Sequence, residues 1–196
     1  MKYRVVRGNG WMAALAVMLL CLSTAQAKPV ESPEAAVAQS LEAVNVSGVG
    51  AMADFMHPDE LARFKAMLMP VLQSGSAESA DTLARSLFGP DVTAESVAGM
   101  PPKEFMRALL ETSLSRAPGA SIQVQKHQVL GTLKEGDIVH VVTRNTVGVG
   151  EISLTKLEVI SVKPYDGGWG LMLNGNLEGM AKMLAAQKSA PKQQGP

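Results

Sequence analysis

Apolar residues along this chain recur first at helical spacing and then at strand spacing, and the period changes near Ser121. Ser32-Pro33-Glu34 is a helix start: a hydroxyl to cap, proline at the first helical position, and an acid against the positive end of the dipole. Val37, Leu41 and Val44 then form one apolar stripe. A short second helix is predicted over 49–56, with Met52, Phe55 and Met56 on neighbouring turns. His57-Pro58-Asp59-Glu60 opens a third, buried through Leu61, Phe64 and Leu68, and Pro70 should kink or end it. The polar stretch 74–79 (SGSAES) reads as a linker. Helical fragments over 82–87 and 94–98 follow, with Gly89-Pro90 between them. A stronger helix over 103–116 starts behind Pro101-Pro102 and stops before Pro118-Gly119.

From Ser121 onward, β-branched runs over 122–133 and 138–147 flank Lys134-Glu135-Gly136-Asp137, a hairpin turn. The third strand, 152–163, is out of phase with itself. Ile152 and Leu154 share a face, Leu157 and Val159 take the other, and Ile160 and Val162 return to the first. Side chains alternate strictly on a flat strand, so a bulge with strong curvature, or cover on both faces, is required. Asp166-Gly167-Gly168 turns the chain into a strand over 169–174, with Trp169, Leu171 and Leu173 on one side. A last helix over 177–187 carries Leu177, Met180, Met183 and Leu184, and 188–196 is a polar tail expected to be disordered. Helices followed by consecutive antiparallel strands make an α+β fold: N-terminal helices packed on a strongly curved antiparallel sheet of about four strands, with a C-terminal helix.

The first residues change the picture of where this domain works. Lys2, Arg4 and Arg7 precede an uncharged apolar run over 11–22, and Ala25-Gln26-Ala27 supplies the small-x-small pattern of a signal-peptidase site. The run is short of the roughly 20 apolar residues a membrane helix needs. Residues 1–27 are therefore expected to be a cleaved signal peptide, with Ala25 and Ala27 at the cleavage site, and the mature protein periplasmic or secreted. The only cysteine, Cys21, leaves with the leader, and with it any disulfide framework, thiol nucleophile or cysteine-based metal site. Residues 28–187 suit one domain. Loss of the leader turns 18 basic against 18 acidic residues into 15 against 18, a net charge of −3. With no basic patch and few aromatics, nucleic acid is a poor partner, and no second apolar stretch reaches membrane-spanning length.

The long third strand (ISLTKLEVISVKP), the Asp166-Gly167-Gly168 turn and the strand GWGLMLNG after it resemble the close of nuclear-transport-factor-two-like proteins, a superfamily that includes ketosteroid isomerase and polyketide-cyclase-like members. The resemblance covers the order of elements over 32–184 and implies a sheet bent round the helices into a cone with a pocket inside. The isomerase members use a tyrosine hydroxyl and a protonated carboxylic acid. Here the only tyrosine after the leader is Tyr165, placed at a turn, so that chemistry does not carry across.

His140 and Arg144 are the leading ligand-binding candidates, because His140, Val142, Arg144 and Thr146 share one face of a regular strand. If that face lines the cone, it offers a switchable donor and acceptor beside a fixed cation. The opposite face, with Val139, Val141 and Val147, is greasier, and on that count His140 and Arg144 face solvent. Asp54 could face a cavity from the second helix. His57 is a further ligand-binding candidate, set against a structural role before a helix start, and His127, after Lys126, is accounted for by a solvated strand position. Met52, Met56 and His57 could be soft metal ligands, but methionines four apart on a helix are ordinary core pairs. The histidines lack zinc spacing, and no phosphate loop, dinucleotide fingerprint or nucleophile elbow is present, so no metal, cofactor or catalytic residue is assigned. The expectation is an exported domain that binds a small apolar or amphipathic ligand or an envelope protein partner. The alternative is a periplasmic enzyme of the cyclase or isomerase type using a pocket histidine and arginine.

Overall fold

A computed structural model describes residues 31–115, 122–149, 152–179 and 182–183. The leader 1–27, the tail 188–196 and residues 180–181 and 184–187 of the expected last helix lie outside the described residues. Five helices precede four strands: α1 (Pro33–Ser47), α2 (Pro58–Leu72), α3 (Ala77–Phe88), α4 (Ala94–Gly99), α5 (Pro102–Ser115), β1 (Ile122–Glu135), β2 (Ile138–Val149), β3 (Ile152–Tyr165) and β4 (Gly168–Leu171). A short helical segment over 175–179 follows. The fold is α+β, with the helices packed on an open, curved antiparallel sheet in the order β1-β2-β3-β4. No helix among the described residues is long and apolar enough to cross a membrane.

The helix starts obey their local chemistry. The Ser32 hydroxyl accepts from the Ala35 N–H at 3.1 Å, and His57 Nδ1 does the same for Asp59 at 3.2 Å. Three expectations need correction. The helix over 49–56 is a short 3-10 helix, Val49–Asp54, which follows directly on Gly48, the residue at φ +85° that ends α1. Pro70 does not end α2 where it stands: the helix runs on for two residues, to Leu72. The stretch 74–79 is only partly a linker: Ser76 caps α3, which begins at Ala77.

The largest correction concerns the sheet. β3 pairs with β2 in unbroken register from Val139↔Val162 to Val149↔Ile152, so it carries no bulge against that partner. The irregularities lie in β1, between Val124 and Lys126 and between Val129 and Gly131. Each shifts the phase of β1 by one residue. Val124, His127 and Val129 therefore oppose Val147, Asn145 and Thr143 and share the face turned to the helices. Leu157 and Val159 stay on the outer face, exposed. Their phase is neither absorbed by a bulge nor covered among the described residues.

α1 lies on the sheet and touches all four strands. The 3-10 turn packs against both α1 and α5, and α5 packs against α2 and α3. Phe64, Leu68, Leu72, Phe105, Met106 and Leu109 fill the helical side of the core, and Val139, Val141, Val162 and Leu171 meet it from the sheet. Each such side chain contributes about 1.5–3 kcal/mol by leaving water. The start of α2 is tied to β4 by a parallel bridge between Met56 and Leu171: His57 N–H donates to Leu171 O, and Leu171 N–H to Phe55 O, both at 2.8 Å.

Candidate functional site

A cavity of about 520 Å³ lies between α1, the 3-10 turn, the middle of β3 and the segment that follows β4. Leu41, Met52 and Met56 line it from the helical side. Ile160, Leu171, Leu173 and Leu177 line it from the sheet and the closing segment. Polar groups make up about half of its wall, among them Ser40, the Glu158 carboxylate, Asn174 and Asn176. The closing segment is anchored at both ends of its path. Asn174 Oδ1 accepts from Leu177 N–H at 3.0 Å, and Leu173 N–H donates to Glu60 Oε2 at 3.3 Å. Arg63 bridges Glu178 at 2.5 Å and Glu60 at 3.1 Å. The hydrogen bond to Glu178, then the nearby negative charges, raise the Arg63 pKa above its ordinary value, so this clamp keeps its positive charge at any working pH.

Glu158 ends a polar track that runs across the inner face of three strands. Asn145, almost fully buried, donates from its amide nitrogen to Glu158 Oε2 at 2.7 Å and to Thr143 Oγ1 at 3.1 Å. With both amide hydrogens used, its oxygen is left to accept, and His127 Nδ1 lies 2.7 Å from it. A neutral His127 therefore carries its proton on Nδ1, and its buried Nε2 has no partner. Lys156 Nζ meets the other Glu158 oxygen at 2.6 Å. The carboxylate reaching the cavity thus has its charge largely answered by Lys156 and a neutral donor. It can accept a hydrogen bond from a bound molecule without being a free anion. Glu158 is also the only titratable side chain among the described residues that line the cavity, so no acid–base pair faces a bound molecule there.

The residues singled out from sequence lie elsewhere. His140 and Arg144 are on the outer face of β2, away from the helices. His140 Nδ1 lies 2.8 Å from Ser161 Oγ, and its Nε2 lies 3.0 Å from Glu135. Arg144 is exposed opposite Leu157. The greasier parity of Val139 and Val141 decides this, as an inward face needs the apolar set. Asp54 points to α5, bound by Arg107 at 2.6 Å and Lys103 at 3.3 Å on the surface. His57 is buried as a joint: its side chain caps α2, its ring meets Tyr165 edge-on at 5.4 Å, and its backbone bonds to Leu171. His127 is not solvated as its neighbour Lys126 suggested, because the bulge after Val124 turns it inward. Among the described residues no group of three or more His, Cys, Asp or Glu could hold a metal ion.

Sequence reasoning missed Thr143, Asn145 and Glu158. The signal was present: the alternation that turns Val139 and Val141 inward carries Thr143 and Asn145 inward with them. The outward placement of the earlier candidates has a measurable consequence. The double substitution His140→Ala with Arg144→Ala is expected to change unfolding free energy by no more than about 0.5–1 kcal/mol and to leave cavity binding unaltered, read by thermal melts and probe titration. A lost cavity ligand in that variant would place this face in the site after all.

The chain matches no protein-family model and no curated protein sequence. Among solved structures, a de novo designed protein with curved β-sheet is similar over 67% of this chain and 99% of its own, at 17% identity and a TM-score of 0.21. A score at that level carries no argument about the fold or about what the site does.

Proposed function

We propose that this is an exported binding protein that holds one small amphipathic molecule in the cavity under α1. The observation that carries the reading is the cavity itself: about 520 Å³, within the roughly 300–1,000 Å³ typical of small-molecule sites, with a wall that is apolar and polar in about equal measure, as an amphipathic molecule requires. Its apolar portion would sit among Leu41, Met52, Met56 and Ile160. A hydrogen-bond donor on the ligand would reach Glu158, and a second polar group would reach Asn174 or Asn176. The enzyme alternative needs a histidine and an arginine in the pocket, and both candidates lie on the far side of the sheet. Export rests on the leader pattern of residues 1–27.

Mass spectrometry of the protein purified from its own envelope under native conditions tests both halves. The expected species starts at Lys28 and carries one small molecule that is lost on denaturation. Titration with the neutral apolar dye N-phenyl-1-naphthylamine tests the cavity independently. Binding is expected to saturate at one site and to weaken at least about tenfold in Leu41→Trp, which fills the cavity from α1. Equal dye binding in the two proteins, with melting unchanged, would remove the cavity from the account.

A further inference from the structure

We propose that the free edge of β3 pairs antiparallel with β3 of a second copy of this chain, with Leu157 at the symmetry centre. β4 covers only the end of β3, from Val162 to Tyr165, and beyond it Met172 N–H reaches Ser161 O at 2.8 Å. From Ile152 to Ile160 no strand among the described residues pairs with that edge. Ser161 and Lys163 direct their backbone groups away from β2, and alternation gives Thr155, Leu157 and Val159 the same outward direction. A long edge of this kind, with apolar side chains on both faces, invites another strand. Here Ile152, Leu154, Leu157 and Val159 are 64%, 60%, 64% and 59% exposed, all on this one strand.

The charge pattern selects both the occupant and the register. Three symmetric registers lie close together at the middle of the free edge. Centring on Lys156 sets two lysines opposite each other, and centring on Glu158 sets two glutamates opposite each other. Centring on Leu157 sets Lys156 against the partner's Glu158 and Glu158 against the partner's Lys156. The same register places Leu154 against the partner's Ile160 and Thr155 against the partner's Val159, and it stops short of Ser161, whose outward carbonyl Met172 already holds. Aliphatic thus meets aliphatic, β-branched meets β-branched, and opposite charge meets opposite charge across the ladder. The outward-directed residues then face one another, as an antiparallel ladder of about six hydrogen bonds requires. A strand that is its own complement in one register points to a second copy. Val159 also stands at the cavity rim, so the paired strand adds a wall on that side. The proposal stands on the strand edge and holds whether or not the cavity takes a ligand.

Leu157 is exposed and touches neither the polar track nor the core, so substitutions there spare the fold. Sedimentation equilibrium on the full protein is expected to give twice the chain mass at roughly 100 μM. Leu157→Lys and Leu157→Glu, each alone, are expected to sediment at the chain mass, because like charges meet at the centre. Mixed in equal amounts, the two are expected to return to twice the chain mass as a heterodimer. A monomeric wild type, the result if another protein or the chain's own residues after 183 occupy the edge, overturns the proposal. So does a dimer that survives either substitution, or a mixture that stays monomeric.

Discussion

Phe105→Ala is expected to lower the unfolding free energy by about 3–5 kcal/mol, the largest effect of any single substitution argued for this protein. The ring is fully buried in α5 and closes the contact between three helices. It lies 4.8 Å from Phe88 of α3 and 6.3 Å, edge-on, from Phe64 of α2. Lys65 stands 6.0 Å above the same ring while donating to Ala98 O at 2.7 Å and Met100 O at 2.5 Å, so the link from α4 to α5 is tied to the same point. Truncation removes transfer energy and leaves a cavity that rigid neighbours on three sides cannot close. For a chain of this size the loss corresponds to a fall in Tm on the order of 10 °C. Urea unfolding followed by far-UV circular dichroism measures it. A loss below about 1 kcal/mol would mean that the helices do not meet as described.

Gly170→Ala is expected to cost about 2–3 kcal/mol and, unlike the first substitution, to weaken cavity binding as well. A methyl group at Gly170 would stand 2.8 Å from His57 Cα and 3.0 Å from His57 N and Cβ. These atoms belong to the joint where α2 starts, and backbone atoms cannot rotate aside as a side-chain tip can. The added carbon must push β4 off the start of α2, breaking the bonds from His57 N–H to Leu171 O and from Leu171 N–H to Phe55 O. Met56 and Leu171, the two residues of that bridge, both line the cavity. The dye titration is therefore expected to show weaker binding at temperatures where the variant is still folded. Gly50→Ala is an internal comparison, because its methyl group would meet the Glu111 side chain, which can swing away. A Gly170→Ala protein as stable as Gly50→Ala would contradict the close approach.

Much of the helical half was legible because its signals are local. The Ser32 cap, Pro58 at the first turn and the stripe of Leu61, Phe64 and Leu68 each depend on residues within one or two turns. The site was less legible. His140 and Arg144 drew attention as chemistry-bearing residues, yet the cavity is built on Glu158, Ser40 and a run of aliphatic and thioether side chains that read as ordinary core. Thr143 and Asn145 could have been found from strand parity in β2. The inward turn of His127 could not, since it follows from bulges in β1 that exist only against its partner strand.

Taken alone, the amino-acid order determined which segments are helices, which are strands, where most of them begin (α3 excepted), and that helices precede an antiparallel sheet. Those properties rest on caps, turn residues and periodicities spanning a few neighbours. Tertiary structure alone decided which strand carries the bulges, which edge of β3 stays open, and which polar side chains meet beneath α1. Each of these depends on pairing register between residues far apart in the chain, and a shift of one position there exchanges the inner and outer faces.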